Sequence, residues 1–188
     1  MTELSVYTYA VPLIALLIAS EAIYSNLRGL KLYNLNDTLG SYGLLTGNVI
    51  ISLLTKGSFL LFNIYLYQFR LFTINDLMHI FFVVVLTFAS IDFIYYWFHR
   101  LSHRIKFLWA MHMNHHSSEE MNFVVSLRQA WFAPFAKVMF FMPLPLIGFD
   151  PLITVVCGVT ATFWGVIGHT QWINLSLIHI SEPTRRRG

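Results

Sequence analysis

The sequence predicts an all-α integral membrane bundle with a histidine-rich metal site at its cytosolic face. Three observations carry that expectation. The chain of 188 residues is 56% hydrophobic and only 11% charged, where ordinary soluble domains carry about 25% charged residues. Three apolar stretches, residues 6–25, 41–68 and 77–98, are each long enough to cross the bilayer core as a helix. Five histidines, His99, His103, His112, His115 and His116, fall within eighteen residues directly after the third stretch.

Residues 6–25 form the first span, with Glu21 near its end, where it reaches the interface or faces the bundle. A secretory signal is the competing reading, but no basic segment precedes the run and no small-x-small cleavage site is obvious. Residues 26–40 are a polar connection holding Arg28, Lys31 and Asp37. Lys56 and Gly57 interrupt the second apolar stretch, which reads as one tilted helix or a kinked pair. Arg70 and Asn75-Asp76 mark a short loop, and the third span leads straight into the histidines. His79 stands alone near the start of that span and reads as interfacial.

Residues 101–135 are less apolar and hold most of the polar chemistry. Residues 108–116 read as a short helix. Ser117-Ser118-Glu119-Glu120 is a break of the kind that opens a helix. Residues 121–135 then read as an interfacial helix with Arg128 and Gln129 on its polar side. Residues 136–148 and 152–172 are two apolar arms around the turn signal Phe149-Asp150-Pro151. No internal repeat or separate soluble domain is visible. The sole cysteine, Cys157, excludes an intrachain disulfide and a cysteine-type metal site.

Basic residues orient the bundle. Arg100, Arg104 and Lys106 place the histidine end on the cytoplasmic side. The two later arms form a hairpin that returns to that side, which makes His169, near the end of the second arm, a further candidate. On a helix His99 and His103 share a face, as do His112, His115 and His116, spaced i, i+3 and i+4. Neutral imidazole suits Fe, Zn, Cu and Ni. Five imidazoles exceed what one tetrahedral zinc uses, and that count hints at two metals. Without a metal or a shared proton, so many cationic groups would repel one another.

The residues also carry a resemblance. D-F-I-Y-Y-W-F-H-R-L-S-H, from Asp92 to His103, resembles the first histidine box of the fatty acid hydroxylase/sterol desaturase superfamily. H-M-N-H-H-S-S-E-E-M-N, from His112 to Asn122, is similar to its second box. L-R-Q at residues 127–129 and G-H-T at residues 168–170 fit the same pattern. Within the superfamily the likeness is to the alkylglycerol monooxygenase branch. The resemblance implies a non-haem centre of two Fe ions held by His99, His103, His112, His115, His116 and His169. It implies O2 activation at a lipid C–H bond, with a membrane lipid as substrate and a separate electron donor. A pterin reductant is implied only by the alkylglycerol monooxygenase likeness. Hydroxylation, desaturation and ether-lipid oxidation share these boxes, so the reaction and the substrate stay open. Asp92, seven residues before His99 on the same helical face, is the expected acceptor that orients a ligand imidazole.

The last residues differ in character. The run from Leu175 to Arg185 resembles the translation of a sequencing-library adapter, and residues 175–188 are expected to be an artefactual tail. On this reading residues 1–174 are a membrane oxygenase domain, cut before a third histidine box and inactive as it stands. Leaving out the tail's three arginines and one glutamate lowers the net charge from +3 to +1. The arginine run is then no nucleic-acid patch, and no nucleic-acid partner is expected. Two other function classes compete: a histidine-based metal-ion transporter or sensor, and a non-catalytic membrane fragment. A transporter places its ligands near the bilayer midplane, whereas these histidines lie at a helix end. Nothing in the sequence sets the oligomeric state.

Overall fold

The computed structural model describes residues 3–167 and residue 170. Within them the chain is helical, with no strand: α1 (Glu3–Arg28), α2 (Leu35–Tyr67), α3 (Ile74–Leu77), α4 (Ile80–Ser102), α5 (Lys106–His112), α6 (Phe123–Ser126), α7 (Ala133–Phe141), α8 (Pro143–Ile147) and α9 (Pro151–Ile167). Three helices, Thr8–Arg28 within α1, α2 and α4, are long and apolar enough to cross a membrane. Their outward faces carry large apolar side chains, with Leu53 72%, Leu54 76% and Phe93 65% exposed. Apolar surface of that extent is a lipid-facing or interaction surface, not a water-facing one.

Helix α2 runs unbroken through Lys56 and Gly57, so the kinked pair is not formed. Its start is capped by the Asn34 side chain, which accepts from the backbone N–H groups of Asn36 and Asp37. Helix α4 begins at His79, whose Nδ1 accepts the Phe81 N–H at 3.2 Å. His79 is therefore an exposed helix cap, as its solitary position suggested.

Helix α9 packs along α4 over a core of Ile74, Val83, Ile91, Leu144, Phe149 and Cys157. The chain entering α9 is pinned beside the chain entering α4. Leu71 N–H donates to Leu146 O at 2.9 Å, and Ile74 N–H donates to Gly148 O at 3.3 Å. Gly148 has φ +124, and a Cβ there would stand 2.1 Å from the Phe72 carbonyl oxygen. Only glycine fits this crossing. The two helices consequently run in the same direction, and the Asp150 turn lies at the end of α4 remote from the histidines. The hairpin expected from the Asp-Pro signal is thus formed. Its first arm is broken into α7 and α8 at Pro143, which has no N–H to continue a helix.

Two expected helices differ from what forms. Residues 121–135 are not one interfacial helix: α6 covers Phe123–Ser126 only, and α7 starts at Ala133. Arg128 explains the break. It is 5% exposed and turned inward, with Nε donating to Ser41 Oγ at 3.2 Å and Nη2 to Asp37 Oδ1 at 2.8 Å. A continuous surface helix would have pointed it to water. The short helix expected over residues 108–116 ends at His112, and residues 113–116 form turns.

Candidate metal centre

The last turn of α4 delivers His99, and its cap residue is His103. Their Nε2 atoms stand 3.1 Å apart. Helix α5 ends on His112, and the following turns fold the chain back on itself. His115 N–H donates to His112 O at 2.9 Å and His116 N–H donates to Met113 O at 3.1 Å. That reversal brings His116 Nε2 within 3.0 Å of His112 Nε2. The two pairs then face each other, with ring centroids 4.6 Å apart for His99 and His112 and 4.8 Å for His103 and His116. One ligand atom from each of His99, His103, His112 and His116 lies within 4.8 Å of the other three.

The surroundings favour neutral imidazole, the form that ligates. Burial pushes the His112 pKa down to about 2, with the neighbouring His99, His116, His115 and His103 acting in the same direction. Trp109 stacks on His116 at 6.0 Å between centroids and covers one side. His103 is exposed, so the group is open at the surface. At the same end Arg100 donates to the Tyr96 hydroxyl at 2.6 Å and lies over the Trp97 ring, an arrangement suited to a membrane–water boundary.

The structure brings four of the expected ligands together. His115 lies beside them, its ring 5.6 Å from His112 and 5.2 Å from His116. It lines a neighbouring small cavity with Arg128, Gln129 and Lys137. Asp92 is exposed on α4 and, among the described residues, makes no hydrogen bond to an imidazole. His169, His179 and residues 175–188 lie outside the described residues, apart from which Thr170 is placed.

Sequence reasoning missed the polar side chains that hold this end of the bundle together. Arg128 and Asp37 form an ion pair at 2.8 Å. Arg128 Nη1 also donates to Ser117 Oγ at 2.9 Å, and Ser118 Oγ donates to Asp37 Oδ2 at 2.7 Å. Ser117 and Ser118 directly follow His116, so the pair anchors the turn that carries a candidate ligand to the first turn of α2. Glu21 is fully buried. It accepts from the Tyr33 hydroxyl at 2.6 Å, from Phe123 N–H at 2.8 Å and from the Thr170 hydroxyl. Burial, then the Glu21 carboxylate, pushes the Tyr33 phenol well above its ordinary range. A signal existed for Glu21, because a carboxylate inside an apolar span needs partners in the bundle. None existed for Asp37 and Arg128, which are ninety-one residues apart.

Comparison with known proteins adds an independent finding. The fatty acid hydroxylase family matches residues 83–186, more than half of the chain. Alkylglycerol monooxygenase of Xenopus tropicalis is 46% identical over 59 residues, which is 31% of this chain and 13% of that protein. The Homo sapiens protein of the same name is 44% identical over 59 residues, again 31% of this chain and 13% of its own length. The Danio rerio protein is 45% identical over 62 residues, covering 33% of this chain and 14% of its own. The matched stretch is thus about a seventh of these relatives or less. No solved structure matches the chain.

Proposed function

This chain belongs to the fatty acid hydroxylase family, and we propose that it carries the metal centre of a multi-pass membrane monooxygenase that oxidises a lipid C–H bond with O2. The observation that carries the reading is the convergence of His99, His103, His112 and His116 at one end of the membrane helices. Nitrogens on one ion at about 2.1 Å stand no more than about 4.2 Å apart. Four nitrogens mutually within 4.8 Å meet that requirement after a shift of a few tenths of an ångström. The donor set therefore fits a metal, and iron is the imidazole-compatible ion that suits an oxygenase. Four close nitrogens serve one ion; a second needs further ligands, with His115 and His169 the candidates from this chain. Bound iron supplies the redox chemistry for O2.

The chain's own residues supply placement. The ion pair of Asp37 with Arg128 fixes the turn after His116. Next to His112 and His115 lies a cavity of about 20 Å³ walled by Phe98, Leu108 and Met111, room for about one water. An apolar groove of about 240 Å³, lined by Leu44, Ala110, Met111, Trp131 and Phe132, shares Met111 and Ala130 with that cavity. On this reading a lipid tail lies in the groove and Met111, an adaptable unbranched side chain, stands between it and the histidine end. Exposed Arg100, Arg104 and Lys106 support a cytoplasmic position for the centre, where a soluble reductant has access.

The test is isotopic. The purified chain in lipid nanodiscs is loaded with iron and given a reduced pterin, 18O2 and an alkylglycerol. The products are analysed by mass spectrometry, with acyl lipids and sterols as parallel substrates. One labelled oxygen in a lipid product, lost in His112→Ala, is the expected result, and it would overturn the expectation from the sequence that the chain is inactive as it stands. An iron-loaded chain that labels none of the three lipid classes overturns the proposal.

A further inference from the structure

The carboxylate of Glu21 lies in a membrane helix, outside the residues that match the family, and is fully buried. Burying a carboxylate in an apolar helix is costly unless donors meet it. Here three donors do, and each comes from a different segment. Tyr33 belongs to the connection after α1, Phe123 N–H opens α6, and Thr170 follows α9. One turn further along α1, buried Ser25 accepts the Leu32 N–H at 3.0 Å, and Leu32 O accepts from Asn122 Nδ2 at 2.7 Å. Glu21 and Ser25 share a helical face, so one stripe of α1 holds the Phe123 backbone directly and the Asn122 side chain through Leu32.

That backbone is the exit of the second histidine box, with Phe123 seven residues after His116. The opposite arm is tied to the same carboxylate through Thr170. The four imidazoles come from α4, from α5 and from the turn after it. Packing of Leu108 in α5 on Phe98 in α4 places the first three, and what holds the segment beyond His116 bears on the fourth. We infer that Glu21 is a positioning residue for the histidine centre, holding the exit of the second box and the end of the α9 arm in one frame. The inference rests on the reading of the four histidines as metal ligands.

The test titrates Co2+ into the purified full chain in detergent and follows the visible cobalt bands, with helicity checked by circular dichroism. Glu21→Ala is expected to weaken cobalt binding about tenfold or more and to alter the bands, as loss of an outer positioning group does. Glu21→Gln keeps an oxygen for Phe123 N–H and the Tyr33 hydroxyl and an amide for the Thr170 hydroxyl. It is expected to stay within about threefold of wild type, less than one ordinary hydrogen bond. If Glu21→Ala does not fold, Thr170→Val decides, with weakening of about threefold or more expected. A folded Glu21→Ala chain with wild-type affinity and bands overturns the inference, as does an unaltered Thr170→Val chain in the second case. A wild-type chain that takes up no cobalt overturns the metal reading itself, and this inference with it.

Discussion

Removing both members of the Asp37–Arg128 pair should cost less than the sum of the two single removals. The Arg128 side chain is 6% exposed and that of Asp37 27%. Asp37→Ala strands a buried guanidinium that keeps Ser41, Ser117 and the residue-37 carbonyl. Breaking a buried pair from one side costs about 3–5 kcal/mol, and the surviving hydrogen bonds place this case near about 3 kcal/mol. Arg128→Met strands a carboxylate that is partly solvated and still accepts from Ser118. Its cost is about 1–2 kcal/mol. In the double variant neither charge is left alone, so the total falls below the sum by a coupling of about 1–3 kcal/mol. At about 2–4 °C per kcal/mol for a chain of this size, Asp37→Ala should melt roughly 6–12 °C below wild type. Arg128→Met should melt roughly 2–8 °C below it. The assay is thermal melting in one detergent, followed by far-ultraviolet circular dichroism. An Asp37→Ala chain melting within 2 °C of wild type, or strictly additive single changes, would show that the pair does not hold this end of the bundle.

Gly148→Ala should lower the melting temperature by more than substitution of an exposed glycine such as Gly43, because its Cβ would meet a backbone carbonyl at 2.1 Å whereas one at Gly43 meets nothing within 4 Å; equal melting would remove the argument for the crossing. Cysteines at Arg104 and Asp150, in a chain with Cys157→Ser, should label from opposite sides of a sealed vesicle, and labelling of both from one side would contradict the hairpin. Met111→Trp should block the passage between groove and cavity, lowering lipid oxidation at least tenfold while metal content stays unchanged; undiminished turnover would place the lipid path elsewhere.

Much of the fold was legible because membrane helices write themselves as long apolar runs. The spans at α1, α2 and α4 follow directly from composition and length, and the Asp150-Pro151 signal marks the turn into α9. The region from Ser117 to Phe132 was not legible. Its course is set by Arg128 reaching Asp37 and by Asn48 Nδ2 donating to Ala130 O at 2.8 Å, contacts between residues more than eighty positions apart. Local pattern suggests a surface helix there, and tertiary hydrogen bonds override it. At the site, the i,i+4 pairs His99/His103 and His112/His116 were readable from helical spacing. The place of His115 beside the four was not, because it depends on the turn at residues 113–116 rather than on a continued helix.

Metal content per chain is the most direct test of the four-histidine centre. The chain is purified after growth with iron and zinc, and both metals are quantified by mass spectrometry for wild type, His99→Ala, His112→Ala, His116→Ala and His115→Ala. About one ion per wild-type chain is expected, as four nitrogens serve a single ion, most of it lost in the first three variants and kept in His115→Ala. Full occupancy in His99→Ala and His112→Ala would contradict the four-histidine centre.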